Sequence, residues 1–362
     1  ALPISTPANT ASVVTIRSPH TVNITASVTV DQVVVDAGAT LNYSGGTLTI
    51  ANGAGIDLTV NGTFIDASTT IVWSGSPTWI LGANATMLRT GAGAADPWRA
   101  NYNGGMSTIP ATANWILRKI TAAIPVLTTV GGTYYPNLTI ENTTATPWIT
   151  QTGATFTGNS DYPRILGNFD IGGIGTSAVD FQNICTNATL IPVNGNLTVR
   201  DNNVLRIDGS GFDLKGQLTV DGTINYGTAN SRIIQFSGPN TQSVSGSGVL
   251  NIYKLVINKS SNNVTLNRIV AVDNNLTLTQ QNIISSASNY LILKDATTVT
   301  GVSNNSFVSG PVRKLGESAV TFPVGKNSSY RPAGISSGGT AATAFWTETF
   351  GTGCTQGTLL NG

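Results

Sequence analysis

Short alternations of apolar and polar residues run along almost the whole chain. A typical unit is a short alternating run, then Asn-Gly, Asp-Gly or Gly-Gly, then another run, as in VTVDQVVVDAG from Val28 and TLTIANG from Thr47. A period of two residues is typical of β-strands, and the glycines and asparagines supply the tight corners between strands. The pattern therefore predicts an all-β protein.

The alternations also recur as longer repeats. LTVNGTFID from Leu58 returns as LTVDGTINY from Leu218, and NLT opens strand-like runs at Asn137, Asn196 and Asn275. An antiparallel sandwich would use strands of similar length joined by tight hairpins, whereas a solenoid uses short strands at a spacing of about 8–12 residues. The second pattern fits better, and we predict a right-handed parallel β-helix.

Breaks in the pattern predict how the chain is divided. We expect an extended N-terminal segment over 1–11 and the β-helix over 12–304, with a projecting loop at about 91–113, where Gly, Ala and Pro replace the alternation. Pro-Val, Phe-Pro and Arg-Pro pairs then appear, and proline fits poorly into interior strands. We therefore predict that a short or partial β-sandwich-like module starts at 305 and continues to 362.

Composition and charge exclude several classes of function. Only 10% of residues are charged and the net charge is +1, so no basic patch is available to follow a nucleic acid backbone. No apolar run is long enough to cross a bilayer, so we expect no membrane span. His20 is the single histidine, which excludes most Ser-His-Asp, Cys-His and zinc chemistry. Low charge and few cysteines fit a secreted or cell-surface protein.

Carboxylates are the remaining candidates for catalysis. Polysaccharide-active β-helices need clustered acids, but the aspartates here are single residues, mostly at predicted corners, where they cap their own turns. Stacked turns could still bring Asp201, Asp208 and Asp221 together. We predict no catalytic residues and no cofactor, with a structural calcium ion as the open alternative, since corner oxygens suit calcium.

Aromatic residues near the predicted loop are the best binding candidates. Trp98, Arg99 and Tyr102 lie in the loop and Trp115 follows it. Aromatic faces beside an arginine suit sugar rings or a protein partner, although the same rings could instead pack the loop onto the solenoid. The sequence also contains Asn-x-Ser/Thr acceptors for glycosylation. The candidates are Asn23, Asn42, Asn61, Asn137, Asn196 and Asn275.

Three stretches carry a resemblance to a known group of proteins. The opening VTIRSPHTVNITASVTVDQVVVDAG, the middle YNGGMSTIPATANWILRKI and the later FVSGPVRKLGESAVTFPVGKNSSYRPAGIS resemble the β-helical repeat region of large secreted surface proteins of Bacteroidota. In that family a C-terminal sorting domain usually directs export through the type IX secretion system. The resemblance implies an adhesin-like cell-surface protein and no particular catalytic residues.

We therefore expect an extracellular structural or adhesive surface protein, a subunit of a filament or a stalk. The expected partners are other copies of the chain or further domains of the same surface protein, and glycans. The alternative is a glycan-binding or glycan-active lyase-like or hydrolase-like β-helix.

Overall fold

A computed structural model shows short strands coiled into stacked turns. It describes residues 13–67, 71–91, 98, 102–103, 105–119, 134–145, 148–149, 155–156, 163–183, 189–227, 232–336 and 344–347. The strands are β1 Val14–Ile16, β2 Thr21–Ile24, β3 Val28–Val30, β4 Val33–Val35, β5 Thr40–Tyr43, β6 Leu48–Ala51, β7 Leu58–Val60, β8 Thr63–Asp66, β9 Ile71–Ser74, β10 Trp79–Leu81, β11 Thr86–Arg89, β12 Asn114–Lys119, β13 Tyr134–Tyr135, β14 Asn137–Asn142, β15 Trp148–Ile149, β16 Thr155–Phe156, β17 Arg164–Ile165, β18 Phe169–Ile171, β19 Val179–Asn183, β20 Ile191–Val193, β21 Leu197–Val199, β22 Val204–Ile207, β23 Gly211–Leu214, β24 Leu218–Val220, β25 Thr223–Tyr226, β26 Ile233–Phe236, β27 Gln242–Ser245, β28 Val249–Asn258, β29 Val264–Leu266, β30 Val270–Gln280, β31 Ile283–Ile284, β32 Leu291–Leu293, β33 Thr298–Thr300, β34 Val308–Ser309, β35 Val312–Leu315, β36 Val320–Phe322, β37 Val324–Lys326, β38 Ser329–Tyr330, β39 Ala333–Ile335 and β40 Ala344–Thr347.

Strands of successive turns pair in parallel and form a β-solenoid of about 11 turns, which confirms the predicted parallel β-helix architecture. One face is a 15-stranded sheet that runs from β2 to β38. The first turns add two smaller faces, β1-β4-β7-β10 and β3-β6-β9. The described residues include one 3-10 helix, at Met106–Thr108, and no helix long and apolar enough to cross a membrane.

Two faces of the later turns merge through two long strands. The first half of β28 pairs with β25, and its second half pairs with β26. β30 pairs along β28, with a register shift between Ile252 and Lys254. This irregularity lets one strand pass from one face of the solenoid to the next without a separate corner.

The inward positions of the alternation form the core. Leu58 pairs with Val33 in the preceding turn and with Trp79 in the next, and all three side chains are buried. Stacking like side chains turn after turn buries a continuous apolar column, while the polar positions between them remain at the surface. The sequence pattern thus sets which face of each strand is inside.

Residues of the predicted projecting loop contribute to this core. Trp98, Tyr102 and Ile109 are buried, and Tyr102 forms a parallel bridge with Trp79. The described part of 91–113 is therefore an irregular turn of the solenoid, because its aromatic and apolar side chains are drawn inside. Residues 92–97, 99–101 and 104 lie outside the description.

The parallel stack continues past the predicted boundary at 305. β34, β35 and β37 each pair in parallel with a strand of the preceding turn. Among the described strands, antiparallel pairing is found only in β36·β39, β37·β38 and β35·β40. A separate sandwich-like module is not confirmed among the described residues, and the predicted N-terminal segment, 1–11, lies outside them.

Candidate functional site

The aromatic binding candidates lie inside the solenoid. Trp98 and Trp115 are 0% exposed, their ring centroids are 5.1 Å apart, and Trp115 meets Tyr135 edge-on at 5.6 Å. Tyr102 packs edge-on against Trp79 at 4.8 Å. The proposed ligand-binding role of Trp98, Tyr102 and Trp115 is therefore wrong: the rings pack the core, and Arg99 lies outside the described residues.

Several glycosylation candidates take part in hydrogen bonds between turns. The backbone N–H of Asn168 donates to Asn137 Oδ1, that of Asn196 donates to Asn168 Oδ1, and that of Gln217 donates to Asn196 Oδ1, each at 2.8 Å. Such a ladder satisfies backbone donors at one corner of the solenoid. Its asparagines have a structural role whether or not they are modified.

The sequons differ in how they use the amide nitrogen to which a glycan would be attached. Asn42 Nδ2 donates to Asn23 Oδ1, Asn137 Nδ2 donates to Asn114 Oδ1, and Asn275 Nδ2 donates to Thr298 Oγ1. The other three side chains are exposed. Modification is thus best accommodated at Asn23, Asn61 and Asn196.

The carboxylates considered for catalysis bond to separate partners. Asp201 accepts from the backbone N–H of Asn202, and Asp221 accepts from that of Ser247. Asp208 accepts from the Gln182 side chain. Among the described residues, no group of three or more His, Cys, Asp or Glu side chains could hold a metal ion. Asp201 therefore caps its own turn, and Asp221 and Asp208 link neighbouring turns by hydrogen bonds.

A different cluster combines half-buried tyrosine rings with positively charged side chains. Tyr226 ends β25, Tyr253 lies in β28 one turn further along, and their ring centroids are 5.1 Å apart. The guanidinium of Arg232 lies over both rings, 3.5 Å from the Tyr253 centroid and 5.5 Å from that of Tyr226. Lys254 Nζ lies 5.8 Å from the Tyr253 centroid. We call these four residues the Tyr-Arg cluster.

Two further residues fix the edge of the Tyr-Arg cluster. The Tyr226 hydroxyl donates to Asp273 Oδ2, and Lys294 Nζ forms an ion pair with Asp273 Oδ1 at 2.6 Å. Burial and the hydrogen bond with the Asp273 carboxylate raise the pKa of Tyr226 to about 12. Tyr226 is therefore neutral at physiological pH, and its ring is positioned by Arg232 over its face and by Asp273 at its hydroxyl group.

The sequence reasoning missed this cluster, although both of its tyrosines lie in alternating runs. The repeat LTVDGTINY ends at Tyr226, and the alternating run IYKLVINKS contains Tyr253. Only the cross-turn pairing of β25 with β28 brings the two repeats side by side. Comparison with known proteins adds no further guide: no family model, curated protein or solved structure matches the chain.

Proposed function

We propose that this protein is an extracellular structural or adhesive surface protein that makes contact through the Tyr-Arg cluster. The observation that carries the proposal is the stacked pair Tyr226 and Tyr253, half-buried on a lateral face and covered by Arg232. Tyrosine and arginine are enriched where proteins bind partners, since they combine a large contact area with polar groups.

A rigid support for the site favours adhesion. Asn225 accepts from Asn251 Nδ2 at 2.7 Å, and Asp213 accepts from Gln235 Nε2 at 2.9 Å, so outward side chains are tied from turn to turn. Binding groups on such a scaffold lose little conformational freedom when a partner binds. The catalytic alternative is less supported, because the aspartates that it would use accept separate hydrogen bonds, one local and two between turns.

Glycan is the partner class that the Tyr-Arg cluster favours. Sugar rings present apolar faces that pack on aromatic rings, and their hydroxyl groups exchange hydrogen bonds with charged side chains. A glycan array tests this with the wild-type chain and Tyr253→Ala, and Tyr134→Ala is the matched control because Arg164 lies 5.0 Å from the Tyr134 ring. Adhesion predicts signals that only Tyr253→Ala removes. Release of new reducing or unsaturated ends from polysaccharides would contradict the non-catalytic part of the proposal.

The proposed role in a filament or stalk has a separate support. In the first described turn the inward-facing Val14, Val22, Ile24 and Val28 are only half-buried, whereas their counterparts in the next turn are buried. Edge strands with accessible apolar side chains can add further β-structure, from the same polypeptide or from another copy. Sedimentation over a hundredfold range of concentration tests self-association, and a constant monomer would contradict the filament.

A further inference from the structure

Arg232 is a buried cation that forms no ion pair with a carboxylate among the described residues. The residue is only 9% exposed, its Nη1 donates to the carbonyl of Gly227, and its Nε has no hydrogen-bond partner in the described structure. Its φ of 44° lies in the left-handed region, which is uncommon for a residue other than glycine. Burying a guanidinium in this way is costly unless a counter-charge and further hydrogen bonds compensate.

The neighbouring carboxylates of Asp273 and Asp208 have other partners. Asp273 is shared by the Tyr226 hydroxyl and Lys294, and Asp208 accepts from the Gln182 side chain. Lys254 adds a second positive charge beside the same tyrosine ring. The Tyr-Arg cluster itself thus contains two cations, Arg232 and Lys254, and no carboxylate.

We propose that the Tyr-Arg cluster binds an acidic saccharide, with the carboxylate or sulfate group on Arg232 and Lys254 and the sugar ring against Tyr253. The anion would supply a counter-charge to the guanidinium, and charge-assisted bonds from arginine to oxyanions are among the strongest in proteins. This inference rests on the proposed function and names its ligand class.

The experiment compares polymers that differ only in charge. Binding of the full chain is measured by biolayer interferometry to polygalacturonate and to its methyl ester, and to dextran sulfate and to dextran. Inorganic sulfate is added as a competitor to distinguish a free anion from an anion carried on a sugar. We expect at least one acidic polymer to bind about tenfold more tightly than its neutral counterpart, and sulfate alone to compete weakly.

Variants locate the binding. Arg232→Gln and Lys254→Ala should each weaken binding of the acidic polymer about tenfold, since each removes a charged contact. Arg164→Gln, which changes the equivalent Arg–Tyr pair at Tyr134, should leave it unchanged. Thermal unfolding of each variant checks that it folds, and Lys254→Ala, on a half-buried side chain, keeps the test valid if Arg232→Gln does not.

The outcomes separate the two proposals. Equal binding to charged and neutral polymers, abolished by Tyr253→Ala, would overturn the acidic class and leave the adhesive function standing. Equal losses in Arg164→Gln and Lys254→Ala would show diffuse attraction and overturn the site. No binding to any polymer here or on the glycan array would overturn both.

Discussion

Removing the carboxylate of Asp66 should destabilise the protein strongly. Asp66 and Arg89 are 0% and 1% exposed and form an ion pair, and Trp98 Nε1 donates to the same Asp66 oxygen at 3.2 Å. Asp66→Ala therefore leaves a guanidinium and an indole N–H without this acceptor in the core. Breaking a buried pair from one side typically costs about 3–5 kcal/mol, and we expect that loss in the free energy of unfolding.

Urea denaturation followed by circular dichroism measures the loss. A more exposed pair is the matched comparison: Arg200 is 52% exposed and Asp170 is 20% exposed, so Asp170→Ala should cost only about 1 kcal/mol. The double variant Asp66→Leu/Arg89→Met removes both charges and should recover most of the stability lost in Asp66→Ala. The reasoning is refuted if Asp66→Ala costs no more than Asp170→Ala, or if the double variant is less stable than the single one.

Three further predictions concern backbone space and titration. Gly167→Ala should lower the melting temperature in calorimetry, because its Cβ would lie 2.6 Å from a backbone oxygen. In the control Gly334→Ala the new Cβ has no neighbour closer than 3.9 Å. Equal changes in melting temperature in the two variants would contradict this. Burial lowers the pKa of Lys259 from 10.5 to about 8, so the unfolded state binds more protons between these values and stability should rise with pH there. Urea titrations at pH 7.5 and 10 should show that rise in the wild type and a smaller one in Lys259→Met. Hydrogen bonds from Ser318 hold the pKa of Asp295 at about 2 instead of 3.8. The ionised Asp295 therefore stabilises the fold above pH 3.8, and this stabilisation is lost as the pH falls through 2. Acid unfolding of Asp295→Asn should lack this loss of stability.

The architecture could be predicted because the local alternation of apolar and polar residues indicates which side of each strand faces inward. The same rule, applied to WILRKI, puts Trp115 on one face with Leu117, and both side chains are buried. Reading its ring as a ligand contact ignored that periodicity. The rule on proline misled us near 305, because Pro311 and Pro323 occupy junctions between strands, where their carbonyls accept hydrogen bonds and no donor is missed.

The Tyr-Arg cluster could not be predicted in the same way. Tyr226 and Tyr253 become neighbours only through the register between turns, and that register depends on corner lengths that vary along the chain. Arg232 joins them from a corner position with positive φ, which no local pattern indicates. Sites between turns require the stacking register, whereas the core requires only the order of apolar residues.

The parallel pairing of successive turns has a mechanical consequence. Hydrogen bonds between turns point along the stacking axis, so a force applied along that axis pulls them apart end-on, one turn at a time, and does not shear a whole sheet. A turn such as that between Asn196 and Gln217, 21 residues apart, would release roughly 70 Å of chain when it peels away. Under load the solenoid would lengthen in steps and absorb work at each one, as a tether does.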